Sequence, residues 1–264
     1  MSTPSHLLAR MRARSPLVQC ITNFVATNIA ANVLLAAGAS PAMVHAEEEA
    51  EEFARIAAAL TINIGTLSGP AVTGMKAAIA GAGAAGKPWV LDPVACFATG
   101  FRRQTTADLL ALRPTIIRGN ASEILALGGG QSAGQGADAG DPVEKAEGAA
   151  RLLARSQGAV VAVTGPVDFV TDGARAMRVA GGSPLMPKVT ALGCSLTCLV
   201  GALVAVAPDQ PFEATVAALA GFAVAGEAAA REAQGPGSFA CRFLDALHGL
   251  DALLTHADER ISPA

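Results

Sequence analysis

The sequence predicts an α/β protein whose central sheet is mostly parallel and carries helices on both faces. Short apolar runs rich in strand-forming residues alternate along the chain with longer Ala-rich segments, and this alternation is typical of parallel strands joined by crossover helices. The runs at 60–64 and 159–164 are dominated by apolar residues, as expected for strands buried on both faces. No linker interrupts the pattern, so we expect one domain over residues 1–264.

The predicted strands are runs of aliphatic and β-branched residues that end at a glycine or a polar residue. In chain order they are 17–21, 42–44, 60–64, 89–92, 115–118, 159–164, and the pair 169–171 and 177–179 joined by Asp172-Gly173.

The predicted helices are Ala-rich or amphipathic. One of them begins with a run of acidic residues, which the helix dipole stabilises at a helix N-terminus. They are 23–37 ended by Gly38, one opened by the acidic run 47–52, 71–86, a short helix after Asn120, 143–156, and two or three closing helices. The Gly-rich stretch 128–141 is predicted to be a surface loop.

Composition excludes several classes of protein. With 52% hydrophobic and 16% charged residues, the chain is too apolar to be disordered. Aromatic residues make up 4% and the net charge is −3, so neither a stacking platform nor a basic footprint for nucleic acid is expected. Five irregularly spaced cysteines indicate a reducing, cytoplasmic compartment rather than a disulfide framework.

Two long uncharged stretches, 24–46 and 189–208, approach the length of a membrane span. Both contain Pro together with Asn, Ser or Gly, and they are therefore predicted to be buried helices with adjoining loops. Residues 1–16 are polar and lack the apolar core of a signal peptide. No membrane association is expected.

Polar residues follow most of the predicted strands, which is where open parallel sheets bind their ligands. Each cluster alone is compatible with a helix cap or a turn, but together they predict one pocket at one edge of the sheet. The clusters are Thr22-Asn23, Asn63 with Gly65-Thr66, Asp92-Pro93, Arg118-Gly119-Asn120, Thr164-Gly165 and Thr190 to Cys194.

The segment 188–197 predicts a loop that enters an apolar helix at Gly193-Cys194. A helix N-terminus presents unpaired N–H groups that can hold a phosphate and stabilise phosphoryl transfer. It is also expected to lower the pKa of Cys194 and favour the thiolate. The alternative is an ordinary buried cysteine. The chain has no GxxxxGK[ST] loop and no kinase Gly-rich loop, so any nucleotide would be bound by another design.

Nine motifs taken together resemble those of hydroxyethylthiazole kinase, a family of the ribokinase-like superfamily, and they run in family order over nearly the whole chain. They are PLVQCITN at 16–23, LAAGASPAM at 35–43, NIGTL at 63–67, LDPV at 91–94, IRGNASEI at 117–124, VTG at 163–165, VTDG at 170–173, KVT with GC at 188–194, and GPGSF at 235–239.

The resemblance implies a ribokinase-like α/β fold without a separate lid domain. It also implies Mg²⁺-dependent transfer of phosphate from ATP to the hydroxyl of 4-methyl-5-(2-hydroxyethyl)thiazole, and a homotrimer with sites at subunit interfaces. The residues that match family positions are Met43, Asn23 and Ala191 for the thiazole, Arg118 and Thr164 for ATP, Asp92 and Glu123 for Mg²⁺, and Cys194 for catalysis, where most of the superfamily has Asp.

Two departures from the family pattern bear on the choice of substrate. Ala191 stands where glycine is common, and Ala95-Cys96-Phe97 replaces a Gly-rich run. Alanine at a positive φ would be strained, and the Phe97 ring could narrow the pocket. Three alternatives therefore stay open: a kinase of a hydroxymethylpyrimidine- or pyridoxal-like alcohol, a nucleotide-dependent NAD(P)H-hydrate dehydratase, which would carry Asp at position 194, and a non-catalytic binder.

Overall fold

One mixed sheet of nine strands runs through the computed structural model, which describes residues 2–129 and 140–264. The strands are β1 Leu17–Ile21, β2 Ser40–Ala42, β3 Ala59–Asn63, β4 Trp89–Asp92, β5 Ile116–Asn120, β6 Val160–Thr164, β7 Val167–Thr171, β8 Ala176–Ala180 and β9 Ile261–Pro263. Their order in the sheet is β2-β1-β3-β4-β5-β6-β7-β8-β9.

The first six strands, β1 through β6, pair with their neighbours in parallel, and the last three strands continue the sheet in antiparallel pairing. The carboxyl ends of six neighbouring strands therefore lie at one edge. The predicted α/β class with a mostly parallel sheet is confirmed.

Helices cover both faces of this sheet. They are α1 Pro4–Arg14, α2 Thr27–Ala37, α3 Ala50–Ile56, α4 Gly69–Ala84, α5 Gly100–Ala111, α6 Ala121–Leu127, α7 Val143–Gln157, α8 Leu192–Val206, α9 Pro211–Glu232, α10 Pro236–His248 and α11 Leu254–Asp258. Alternate residues of one strand belong to different core clusters: Val160 packs with α8 and α9, whereas Val161 packs with α6 and α7. This alternation follows from the period of two along a strand.

Several predicted boundaries were wrong. The helix predicted from Asn23 begins at Thr27, because the Asn23 side-chain and main-chain oxygens both accept the Ala26 N–H and hold a turn there. The strand predicted at 42–44 lies at 40–42, where Ser40 N–H donates to Pro16 O. The sequence did not indicate α1, α5 or β9. Most of the predicted loop at 128–141 lies outside the described residues.

The two uncharged stretches fold largely as expected, 24–46 forming α2 and β2 and 189–208 containing α8. The helices α2 and α8 are apolar but short; among the residues described, one helix, α9, is long and apolar enough to cross a membrane by length and composition. Its apolar window is 83% buried inside the protein. A core helix passes the same test, so α9 is only weak support for a membrane span.

Candidate active site

The carboxyl edge of the parallel strands gathers the polar residues that the sequence placed after them. Asn63 at the end of β3 is the register partner of Asp92 at the end of β4, and Asn120 of β5 is the partner of Thr164 of β6. Asn23, just beyond β1, donates from Nδ2 to Asn63 Oδ1 at 2.9 Å. The convergence of the strand-end clusters on one site is therefore observed.

Asp92 is the buried centre of this site and is fully shielded from solvent. Its Oδ2 accepts from Asn63 Nδ2 at 2.7 Å and from Thr197 Oγ1 of α8 at 2.8 Å. Its Oδ1 is buried and has no hydrogen-bond partner among the described residues. Burial raises the pKa of Asp92, opposed by the Arg118 charge and these two hydrogen bonds. An unpartnered carboxylate oxygen in such a place is open to a cation, a proton or a water.

Arg118 lies beside Asp92 and faces the start of α8. Its Nη2 donates to Thr164 Oγ1 at 2.5 Å, and its Nη1 is 3.8 Å from Asp92 Oδ2. A Cβ at Gly193 would lie 3.2 Å from both Nη atoms, so the guanidinium packs directly on the glycine backbone. Arg118 Nε is buried without a partner in the described part of the chain. The predicted nucleotide residues Arg118 and Thr164 are thus in direct contact.

The first turn of α8 adds main-chain N–H donors next to the Arg118 guanidinium. The first helical hydrogen bond runs from Ser195 N to Ala191 O at 2.9 Å. The N–H groups of Leu192, Gly193 and Cys194 precede it and so have no carbonyl within the helix to bond. Together with the Arg118 guanidinium they form a site suited to phosphate oxygens.

Cys194 is half-buried and accepts a hydrogen bond from Asn23 Nδ2 at 3.2 Å. The expectation that the helix N-terminus lowers its pKa was wrong. Burial and the Asp92 charge raise the pKa of the thiol to about 11, against the opposing effects of the Asn23 hydrogen bond and the Arg118 charge. Without ligands, Cys194 is therefore a protonated thiol at neutral pH.

Glu123 anchors the loop after β4 to the start of α6. Its Oε1 accepts from Ala95 N at 3.0 Å and its Oε2 accepts from Asn120 N at 2.8 Å, the latter as part of a capping box. Burial and the Asp92 charge raise the pKa of Glu123 to about 7. Both oxygens accept backbone hydrogen bonds, so Glu123 holds the loop after β4 against the start of α6 and is also a candidate metal ligand.

Met43 and Phe97 lie outside the hydrogen-bond network described above. Met43 follows the edge strand β2 and packs on the cluster that contains α2 and α8; its neighbour Val44 accepts from Gln19 Nε2. Phe97 packs against the core cluster of β3 and β4 and lines a surface groove with Arg103 and Leu110. That placement argues against the expectation that its ring narrows the pocket.

Four further residues belong to the site but were not among the predicted site residues. Asn63 was visible as a strand-end residue, and Thr197 lies one turn after Cys194 on the same helix. Asp168 of β7 accepts from Gly165 N at 2.9 Å, and burial raises its pKa to about 7. Arg102 of α5 carried no signal, because its partners are main-chain carbonyls.

Ala191 and Ala95 stand where the family pattern has glycine, and both adopt the left-handed backbone conformation that glycine favours, with φ of 62° and 50°. A non-glycine residue there is strained by about 1–2 kcal/mol.

We expect Ala191→Gly to raise the free energy of unfolding by up to about 1 kcal/mol, since part of the relief is lost to the flexibility of unfolded glycine. Urea denaturation measures this, with the helical Ala202→Gly, expected to be destabilising, as control. A lower stability of Ala191→Gly would contradict the strain.

Known proteins resemble the chain over nearly its whole length. Residues 8–252 match the model of the hydroxyethylthiazole kinase family. A curated relative from Rhizobium leguminosarum bv. trifolii (strain WSM2304), named hydroxyethylthiazole kinase, is 70% identical over 263 residues, which is 100% of this chain and 98% of the relative.

Solved structures agree. The structure of a hydroxyethylthiazole kinase protein from Pyrococcus horikoshii OT3 has a TM-score of 0.89 at 40% identity and covers 99% of this chain and 98% of its own. A ribokinase-like superfamily protein from Enterococcus faecalis V583 has a TM-score of 0.66 at 12% identity, covering 95% and 89%. The latter similarity concerns the fold alone.

Proposed function

The chain belongs to the hydroxyethylthiazole kinase family, and from that premise we propose how its site phosphorylates the hydroxyl of 4-methyl-5-(2-hydroxyethyl)thiazole with ATP. The observation that carries the proposal is the contact between Arg118 and the first turn of α8. A guanidinium and free helix N–H groups meet beside a buried carboxylate, and phosphoryl transfer needs this combination of positioning and charge stabilisation.

In the proposed arrangement, Arg118 and Thr164 hold the ATP phosphates and α8 receives the charge that develops on the transferred group. Asn23, Met43 and Ala191 form the thiazole side, where Asn23 is tied to both Asn63 and Cys194. Cys194 then faces the substrate hydroxyl and is the proposed proton acceptor. Its raised pKa means that it can accept this proton only in its thiolate form, whose population grows as the medium becomes more alkaline.

The donor set also fits Mg²⁺, which we propose as the cofactor. The described residues contain no group of three or more metal-ligating side chains, and Mg²⁺ characteristically keeps waters and uses one or two carboxylates plus substrate phosphates. Asp92 offers an unpartnered oxygen, and Glu123 lies close enough that the Asp92 charge raises its pKa. When bound there, the ion would neutralise phosphate charge.

We expect stability to fall as the pH rises from about 4.5 to 7 in metal-free buffer, and Mg²⁺ to restore it above that range. The folded pKa of Glu123, about 7, lies above its usual value, and the pKa values of Asp92 and Asp168 are raised in the same direction. These groups therefore contribute most stability at low pH and lose it as they ionise. A Mg²⁺ concentration about ten times its Kd would add ~1.4 kcal/mol, measured by urea unfolding at pH ~8.

The matched variant for this test is Asp92→Asn, which keeps an oxygen to accept from Asn63 and Thr197 but removes the charge. It is expected to abolish the gain from Mg²⁺. An equal gain in this variant would remove Asp92 from the metal site. No response to Mg²⁺ in the unmodified protein, with or without ADP present, would refute the site.

Assembly, location and domain organisation are part of the same proposal. We propose a homotrimer with its sites at subunit interfaces, since Phe24 and Val25, next to Asn23, are 77% and 64% exposed and apolar side chains of this size favour burial. Five free cysteines support a cytoplasmic location. The one continuous sheet supports a single domain.

The test of function is ADP release in a coupled assay with Mg-ATP and a panel of alcohols. We expect turnover of the thiazole alcohol to exceed that of hydroxymethylpyrimidine and pyridoxal by about two orders of magnitude, a discrimination that placed polar contacts can supply. Preferential turnover of either other alcohol would change the substrate assignment. Nucleotide-dependent dehydration of hydrated NADH without any kinase activity would refute it.

A further inference from the structure

Arg102 of α5 donates to three main-chain carbonyls that belong to two different site loops. Its Nη1 bonds Ile64 O and Val94 O, and its Nη2 bonds Gly65 O, each at 2.8 Å. Ile64 and Gly65 follow β3, and Val94 follows β4. Within the described part of the chain, Arg102 forms no ion pair with an Asp or Glu, so its hydrogen bonds go to the backbone.

One of these carbonyls belongs to a peptide unit that is held from both sides. The Val94–Ala95 peptide accepts from Arg102 at its oxygen and donates from its N–H to Glu123 Oε1 at 3.0 Å. The residue after it, Ala95, has φ of 50°. Rotating this peptide by half a turn would bring Ala95 to an ordinary negative φ, so the backbone itself favours the flip. Two charge-assisted hydrogen bonds oppose it.

The other two carbonyls connect Arg102 to the substrate side of the site. Gly65 N donates to Asn63 Oδ1 at 2.8 Å, and a Cβ at Gly65 would come within 2.7 Å of the Asn23 amide. Asn63 in turn donates to Asp92. A shift of the Gly65 loop would therefore move Asn23 and Asn63, and with them the hydrogen bonds on Cys194 and Asp92.

We propose that Arg102 is a positioning residue of the kinase: it clamps the two loops together and, with Glu123, holds the Val94–Ala95 peptide against a flip. The need for this clamp is greater in this chain than it would be with glycine at position 95, because alanine there strains the conformation that the clamp holds. Arg102 acts through the backbone and is given no contact with substrate. This role deepens the proposed function and rests on it for its catalytic consequence.

The test compares Arg102→Ala with Arg103→Ala, its neighbour on the same helix, whose Nη1 makes one exposed bond to Phe97 O. We expect Arg102→Ala to lower kcat by roughly 10- to 100-fold, as displacement of catalytic groups by about 1 Å does, with KM for ATP changed by less than about threefold. Guanidinium ion at low millimolar concentration is expected to restore part of kcat in this variant alone. Arg103→Ala is expected to behave like the unmodified protein.

Hydrogen exchange supplies a readout that does not depend on turnover. The amides of 63–66 and 94–95 are expected to exchange faster in Arg102→Ala and to be unchanged in Arg103→Ala. Adding Ala95→Gly to Arg102→Ala is expected to recover part of kcat, because the strain that drives the flip is removed. A variant that merely lost stability would show no rescue by guanidinium.

If Arg102→Ala does not fold, Arg102→Lys is used, since its compact ammonium lacks the fork of separate nitrogens with which Arg102 reaches both loops. A folded Arg102 variant with unchanged exchange in both loops and unchanged kcat overturns the clamp. If the unmodified protein phosphorylates no thiazole alcohol, the proposed function fails, while the exchange comparison still decides whether Arg102 holds the two loops.

Discussion

Arg118→Ala is expected to lower kcat/KM for ATP by about 10³-fold, the largest loss among the single substitutions considered. Arg118 donates to Thr164, packs on Gly193 and lies 3.8 Å from Asp92. One change therefore removes the cation that we propose binds phosphate, and it leaves a buried carboxylate without its neutralising charge. Calorimetry is expected to show a large loss of ADP affinity and a small change for the thiazole alcohol. Breaking a buried pair also costs about 3 kcal/mol of stability.

Two variants separate charge from geometry in this prediction. Arg118→Lys keeps the charge but cannot bond Thr164 and the phosphates as a fork does, and we expect it to recover stability more than ATP affinity. Arg113→Ala is the control, because this arginine is exposed and donates to two carbonyls at the end of α7. Equal losses of ATP and thiazole affinity in Arg118→Ala would contradict its assignment to the nucleotide.

The site residues that could be predicted from the sequence are those at or near the carboxyl ends of strands. The strand 89–92 has the predicted bounds because Pro93 has no N–H to continue the ladder. Since neighbouring strands are parallel, residues directly after them meet at one edge, and Asp92, Arg118 and Thr164 could be grouped without any knowledge of their contacts. The edge strand β2 was misplaced because its position depends on pairing with β1, which local composition does not encode.

The properties that could not be predicted arise from groups that are distant in sequence. A helix start at Gly193-Cys194 was visible, but the pKa of Cys194 depends on its burial and on Asp92, which a separate strand delivers. Arg102 remained hidden for another reason: its three partners are carbonyl oxygens, which every residue carries and which leave no pattern in the sequence.

The raised pKa of Cys194 changes what its catalytic role predicts. A thiol with a pKa of about 11 can act as a general base only in its minor ionised form at neutral pH, so a rate that depends on it rises about tenfold per pH unit below that pKa. Phosphoryl transfer passes through a loose transition state in which positioning and charge stabilisation dominate. The dependence of kcat on pH therefore distinguishes a base from a residue that only shapes the site.

Cys194→Ser is expected to lower kcat by about 10²-fold and to remove the rise with pH, while thiazole affinity changes little, because the hydroxyl can still accept from Asn23. Cys194→Asp supplies a carboxylate whose ordinary pKa lies about 4–5 units below that of a thiol, and it is expected to keep or raise activity and to move the rise toward lower pH. Steady-state kinetics from about pH 6 to 10 measures both changes.

The control is Cys198→Ala, one turn further along α8. Cys198 is buried with its Sγ 3.6 Å from Thr61 Oγ1, so its loss is expected to lower stability by about 1 kcal/mol and leave kcat unchanged. Near-normal turnover in Cys194→Ser together with a large loss in Cys198→Ala would mean that the wrong cysteine was chosen. If kcat of the unmodified protein is flat with pH and Cys194→Ser matches it, no base acts at this position, and Arg118, the first turn of α8 and Mg²⁺ carry the transfer.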